Sequence, residues 1–506
     1  MSVDEKAETV GLGRAAASGV LWLAVQKWLV RLSAFATLIV LTHHVSPRDF
    51  GVVAAASTFI PIIYLLSDVG FSTYLLQSED SDRRSLSTAF WTTVVAGAVL
   101  SGVLWVASPL VGTAFRSEAL GGVLRALILS VVPTVLAGVP LALLRRALRF
   151  RAVAVQSLVA AISGQVAAIV VAVSGGGVWA LVSQVVVTQW VIAVLAWWSV
   201  RWLPGLAFSP QKFRQMAAFG VRVSSVDFVG TARLWAESLV VTVVLGPAAM
   251  GQLNVGQRVV QVAQDLAAGS LVPVSTVVFA KVREVPERLA ASYIKALGVA
   301  YGVVSPLMVL IAVTAPQSIP LVFGSQWSAS IVPAQALSVA AVITLGAMVD
   351  HGLFYGLGRP GTWLAYAVVI DALTLTTTVV AVHWGLPGVA FGFLVVATVA
   401  TSARWVLVGR LLGMRPTQVA RPFVTALVPT VVTLAVGALV SMWTSRVPSV
   451  WLGLALLGSV TVLVNVLLLR LVGGRVLRDA LGLLPVPARV TRPVVRLLRL
   501  QPLDGS

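Results

Sequence analysis

QKWLVRLSAFATLIVL, residues 26–41, is apolar enough to cross a membrane, yet it carries Lys27 and Arg31. It closes an apolar run that begins near Ala16. About 20 apolar residues span a hydrocarbon core, so the run is long enough to cross. On a helix, a four-residue spacing puts both cations on one face. A charge near the bilayer centre costs roughly 2.5–3.5 kcal/mol on insertion scales. Two cations on one face therefore need a remote acid, water or an anionic ligand, because their own helix carries no acid.

The rest of the chain extends the same reading. Its 506 residues are 58% hydrophobic and 11% charged, with a mean hydropathy of +0.96. One soluble core cannot absorb that much apolar sequence, so the chain is polytopic. Residues 1–15 are polar, and the first apolar run exceeds a signal-peptide core, so no cleaved leader is expected. Cysteine is absent, which excludes thiolate chemistry and cysteine metal sites. His43, His44, His351 and His383 do not cluster, and no metal, cofactor or catalytic residue is expected. Nucleotide-binding and zinc-peptidase signatures are absent, and so is any sizeable outer loop.

Apolar runs predict about 14 helices, over 16–42, 50–77, 86–108, 119–143, 152–174, 178–199, 215–245, 250–280, 289–313, 331–354, 361–382, 387–410, 422–442 and 449–471. The runs are continuous rather than alternating, unlike barrel strands. Of the 36 Lys and Arg, 25 fall on the side of the amino terminus, three on the other side and eight inside spans. Cytoplasmic loops are enriched in Lys and Arg, so both termini are expected inside. The same bias accounts for most of the +18 net charge without nucleic acid. The basic segments RRALRFRA (145–152) and RVTRPVVRLLRL (489–500) are expected to lie at the interface.

A repeat is visible at a 200-residue offset. RLSAF (31–35) and VSPRDFG (45–51) are echoed by RLWAE (233–237) and LGPAAMG (245–251), so Pro47 and Gly51 recur as Pro247 and Gly251. This predicts an all-α membrane protein with two six-helix lobes in parallel repeat, plus two further helices. The expected segments are a cytoplasmic amino terminus (1–15), an N-lobe (16–199), a linker (200–214), a C-lobe (215–410), two appended helices (422–471) and a basic tail (472–506). Transporters commonly bind substrate at the interface of such halves.

The cations inside spans are Lys27, Arg31, Arg125, Arg222, Arg233, Arg258, Lys295 and Arg404. The acids in or near spans are Asp68, Asp227, Glu237, Asp265, Asp350 and Asp371. Intramembrane ionisable residues are functional candidates. Lys27, Arg31, Arg222, Arg233 and Arg258 fall on spans 1, 7 and 8, and converging Lys and Arg suit an anionic phosphate. Asp68, Asp227, Asp265 and Glu237 are candidate ion-coupling groups or charge partners. The spacing pairs Arg233 with Glu237 and places Arg258 on the face of Asp265. An internal salt-bridge network that only holds the helices together remains the alternative. Arg125 and Arg404 read as snorkelling anchors, and Asp350–His351 as a helix end. Pro61, Pro133, Pro273 and Pro306 mark expected bends.

The stretch 45–91 resembles the Wzx-type polysaccharide flippases of the multidrug/oligosaccharidyl-lipid/polysaccharide exporter superfamily. The likeness rests on Pro47-Arg48-Asp49-Phe50-Gly51, Asp68-Val69-Gly70 and Phe90-Trp91. It continues through PLALLRRALRFRAVAV (140–155), GVWALVSQ (177–184) and GQLNVGQRVVQVA (251–263). The resemblance implies two lobes around a central cavity. It also implies transfer of a polyprenyl-diphosphate-linked oligosaccharide across the bacterial plasma membrane, without enzymatic chemistry. Relatives that flip a lipid-linked peptidoglycan precursor hold the diphosphate with cations on spans 1, 2 and 8. By position Lys27 and Arg31 match the first-span cations and Arg258 the eighth, while the second span here offers only Asp68. The implied partners are the lipid-linked oligosaccharide, the bilayer and polysaccharide assembly enzymes. A cation antiporter of the same fold predicts an acidic cavity. A membrane glycosyltransferase or polymerase predicts a catalytic outer loop. A scaffold predicts that every buried charge is paired.

Overall fold

The computed structural model describes residues 26–77, 82–444, 446–447 and 449–483; within these, side chains at 222–227, 266–277 and 473–483 are not described. The described chain is helical, without strands. Eleven segments are long and apolar enough to cross a membrane among the described residues, and one of them, 360–412, is a pair of helices. The chain divides into two compact units, residues 1–251 and 252–506.

The first unit begins with α1 (26–44), followed by α2 (Pro47–Ser57), α3 (Phe59–Asp68), α4 (Phe71–Gln77) and α5 (Arg83–Ala114). Then come α6 (Glu118–Ile128), α7 (Val131–Arg146), α8 (Phe150–Val173), α9 (Val178–Ser199) and α10 (Pro210–Leu245). Helix α11 (Pro247–Val282) opens at the unit boundary. Two expected bends appear as breaks. Proline lacks the N–H that would bond the carbonyl four residues back. For Pro61 that carbonyl is Ser57, and α2 ends there; for Pro133 it is Leu129, between α6 and α7. Pro306 behaves differently, because α12 (Pro286–Phe323) runs through it unbroken. Pro273 lies on α11, outside the described side chains.

The segment 145–152 is not a surface-lying helix. It is the last turn of α7, a tight turn with Leu148 at φ 53°, and the first turn of α8. Arg149 Nη1 donates to the Ser199 carbonyl at 3.0 Å, which ties this turn to the end of α9. Residues 489–500 lie outside the described residues.

The Phe90-Trp91 pair organises the first turns of α5. Phe90 is buried and meets Trp197 and Trp202 edge-on, at 5.7 and 5.9 Å between ring centres. Trp91 Nε1 donates to the Gly205 carbonyl at 2.9 Å. Ser87 Oγ and Thr88 Oγ1 accept from the backbone N–H groups of Gly205 and Ser209, each at 3.0 Å. The stretch between α9 and α10 is thus strapped onto α5. Deleting a buried aromatic costs about 3–5 kcal/mol. Phe90→Ala is therefore expected to lower the midpoint of thermal unfolding in detergent by several degrees. An unchanged midpoint would show that this cluster does not support the fold.

The repeated turns meet each other. Ser46 caps α2, its hydroxyl accepting from Asp49 N–H, and Pro47 takes the first helical position, where a missing N–H costs nothing. Pro247 opens α11 in the same way, after Gly246 at φ 88°. A Cβ on Gly51 would sit 1.6 Å from the Pro247 carbonyl oxygen, and one on Gly251 would sit 1.9 Å from that of Pro47. The approach is reciprocal, backbone to backbone, and both partners belong to the first unit.

The second unit is centred on α12, which packs against α13 (Ile331–Thr344), α17 (Pro416–Thr444) and α18 (Val450–Leu483). The remaining helices are α14 (Gly346–Gly356), α15 (Pro360–Ala381) and α16 (Gly385–Leu412). Tyr293, Tyr301, Met308, Phe354 and Phe423 belong to its core. Polar contacts link helices where apolar association is weak in lipid. Gln317 Nε2 donates to Thr444 Oγ1 at 2.9 Å, and Asn465 Nδ2 to Thr433 Oγ1 at 3.3 Å.

Candidate functional site

In the first unit, helix rise places the candidate charges along their helices. Counting back from His44 at about 1.5 Å per residue, Arg31 lies roughly 20 Å along α1 and Lys27 roughly 26 Å. A hydrocarbon core is about 30 Å thick, so both cations lie within one membrane-crossing length of that end. Lys27 is exposed and Arg31 half-buried. Among the described residues Lys27 makes no ion pair. Asp68 ends α3. It is 8% exposed, and its Oδ1 accepts from Ser72 Oγ at 2.6 Å and Ser72 N–H at 3.2 Å. Val69 and Gly70 follow with positive φ, 43° and 74°. This turn is closely packed, because a Cβ on Gly220 of α10 would lie 1.6 Å from the Val69 carbonyl oxygen.

Helix α10 carries the expected pair. Arg233 Nη1 donates to Glu237 Oε2 at 2.7 Å, and Glu237 is buried. Glu237 lies roughly 12 Å from the Leu245 end, well inside the core, where an unpaired carboxylate would be costly. Arg233 is thus held by an acid on its own helix, whereas Lys27 is not. Arg222 and Asp227 fall on the same helix, outside the described side chains.

In the second unit, Arg258 is exposed on α11 and its Nε donates to Asn254 Oδ1 at 2.9 Å, one turn before. Asp265 is half-buried two turns on.

The second unit also holds a charge pair that corrects the reading of two residues. Arg404 is no snorkelling anchor and Asp350 no helix end. Arg404 is 2% exposed, and its Nη1 donates to Asp350 Oδ2 at 2.6 Å. Tyr293 Oη donates to the other carboxylate oxygen, and Arg404 Nη2 donates to Thr401 Oγ1 at 2.9 Å. Thr401 Oγ1 in turn donates to the Ile343 carbonyl at 2.9 Å, beside the break between α13 and α14. A Cβ on Gly346 would come within 3.0 Å of Arg404 Nη1, so glycine there makes room for the guanidinium. Arg125 is also more than an anchor. Its Nε donates to Ser108 Oγ at 2.6 Å and its guanidinium lies 5.8 Å from the Trp105 ring centre.

Residues 40–332 match the family described as "Polysaccharide biosynthesis protein". The chain belongs to this family. Within it, the chain is 23% identical over 295 residues to the succinoglycan biosynthesis transport protein ExoT of Rhizobium meliloti, covering 58% of this chain and 60% of that protein. It is 23% identical over 387 residues to the lipopolysaccharide biosynthesis protein WzxC of Escherichia coli, covering 76% and 79%. The chain therefore matches less than two thirds of the length of ExoT. As a polysaccharide biosynthesis protein it has a transporter fold. It superposes on the lipid II flippase MurJ in an inward closed conformation with a TM-score of 0.73, at 12% identity, over 89% of this chain and 98% of that one. A multidrug resistance transporter of the MOP superfamily, in an inward-facing conformation, gives 0.62, at 17% identity, over 76% and 94%. These relatives are transporters rather than enzymes, and the chain is a multi-pass membrane protein like them.

Sequence reading missed the Asp350–Arg404 pair because 54 residues separate its members. The available signal was an acid and a cation each inside an apolar run, with no opposite charge one turn away.

Proposed function

We propose that this polysaccharide biosynthesis protein is a flippase for a polyprenyl-diphosphate-linked oligosaccharide in the bacterial plasma membrane, with both termini cytoplasmic. The observation that carries the reading is the charge on α1: Lys27, exposed and without an ion pair among the described residues, one turn from Arg31. A polyprenyl diphosphate keeps its phosphates at headgroup level while its tail stays in hydrocarbon. Two cations spaced one turn apart suit its two phosphates, and charge-assisted bonds to phosphate are about twice as strong as neutral ones. Among the described residues Arg258 has only a neutral partner in Asn254, and it is assigned a supporting role. Arg233 answers Glu237 first, and Arg222 is assigned by its position on α10 alone. Asp68, Asp227, Asp265 and Glu237 are assigned to ion coupling or charge balance. The sugars cross with the diphosphate, and alternating access delivers them to the outer leaflet for assembly into surface polysaccharide.

The test is transfer of a fluorescent polyprenyl-diphosphate-oligosaccharide across proteoliposomes containing the purified protein. The expected result is glycan transfer that depends on the protein. Efflux of small organic cations without glycan transfer would instead move the protein to the antiporter branch of the same fold.

A further inference from the structure

Between α17 and α18 lies a groove of about 380 Å³ that neither the transport reading nor the charged residues of the lobes use. One wall is a stripe of α17, Thr417, Gln418, Arg421, Val424 and Val428, and the other includes Val472 of α18. The stripe changes character along its length. It begins polar and cationic, and ends with Val424 and Val428, 51% and 48% exposed on a membrane-crossing helix. From Arg421 to Val428 the rise is roughly 10 Å, the length of a headgroup phosphate and the start of an acyl chain.

Its charge has no ion-pair partner among the described residues. Arg421 is exposed and forms no ion pair among the described residues. No Asp or Glu occurs between Asp371 and Asp479, while Arg404, Arg410, Arg415, Arg421, Arg446, Arg470, Arg475 and Arg478 all fall in that interval. Arg404 takes Asp350. The local sequence thus offers the cation at the Arg421 end no acidic neighbour. That end is the one the Lys and Arg distribution assigns to the cytoplasm, where the leaflet carries anionic phosphate and basic pockets between helices hold lipid headgroups.

We propose that this groove binds an anionic phospholipid of the cytoplasmic leaflet, its phosphate diester on Arg421 and one acyl chain along Val424, Val428 and Val472. One lining cation matches the single charge of a phosphate diester. A diphosphate carrying sugars needs more positive charge and more room than this groove provides.

The experiment uses the full-length protein in nanodiscs containing phosphatidylglycerol with a photoactivatable acyl chain, followed by peptide mass spectrometry. Zwitterionic phosphatidylethanolamine with the same chain is the comparison. Labelling concentrated on residues 416–430, several-fold above the zwitterionic lipid, is expected. One Arg near an anionic surface contributes about a fivefold preference, so Arg421→Gln should lower the labelling about fivefold. Arg421 is exposed, so the variant is expected to keep the wild-type unfolding midpoint, which is measured alongside. Equal labelling by both lipids, or labelling unaffected by Arg421→Gln, would overturn the proposal. Displacement by polyprenyl diphosphate but not by excess phosphatidylglycerol would also overturn it, by making the groove a substrate site. Glycan transfer is not the readout, so failure here is distinguishable from failure of the flippase reading.

Discussion

Asp350→Ala is expected to deplete the folded protein from the membrane, and Asp350→Leu with Arg404→Met to restore most of it. The ion pair is 2.6 Å long and both side chains are almost fully buried. Removing one partner of such a pair costs about 3–5 kcal/mol, because the remaining charge stays buried without compensation. Folded proteins have margins of about 5–15 kcal/mol, so the loss is a large share. Replacing both charges with apolar groups of similar volume is often neutral or stabilising. The measurement is the membrane level and detergent unfolding midpoint of the two variants. If Asp350→Ala keeps the wild-type midpoint, the pair is not structural. If the double variant folds but no longer transports, the pair has a role in transport as well.

The second large effect is steric. Gly51→Val is expected to abolish accumulation of folded protein, and Gly51→Ala to reduce it. The added Cβ would meet the Pro247 carbonyl oxygen at 1.6 Å. A backbone carbonyl in a helix turn cannot rotate away as a side chain can. The cost therefore exceeds the roughly 1–3 kcal/mol usual for overpacking a core. Gly102 is the control, since a Cβ there meets nothing within 4 Å and Gly102→Ala should be silent. Gly251→Ala should behave like Gly51→Ala and should not rescue it, since it adds a second clash on the reciprocal side. Normal levels of Gly51→Val would mean that the two repeated turns do not pack this closely in the membrane.

These residues show what a sequence exposes and what it hides. Local periodicity carries the helices, the breaks at Ser57 and Leu129 follow from Pro61 and Pro133, and the Arg233–Glu237 pair follows from one-turn spacing. The recurrence of Pro47 and Gly51 as Pro247 and Gly251 was visible as a pattern. Its physical reason, two backbones in reciprocal contact, required coordinates. Long-range partners leave no local trace: Arg404 sits on Asp350 across 54 residues, so a reading by helix position took it for an anchor. The break between α13 and α14 has no proline of its own; it sits where Thr401 donates to the Ile343 carbonyl and Arg404 lies against Gly346. For the candidate site, the sequence supplied the charges and their faces. The structure added burial and partners, with Lys27 exposed and Arg233 held by Glu237.

The central claim is that the α1 cations hold a diphosphate. The most direct measurement compares glycan transfer by wild type and Lys27→Ala/Arg31→Ala in proteoliposomes at equal protein levels, with Lys27→Arg/Arg31→Lys as the charge-conserving control. Two charge-assisted bonds of about 1.5–3 kcal/mol each predict a loss of about a hundredfold or more in the alanine variant. The control should retain most of the transfer. Wild-type transfer by the alanine variant would contradict the account and make Lys27 and Arg31 structural.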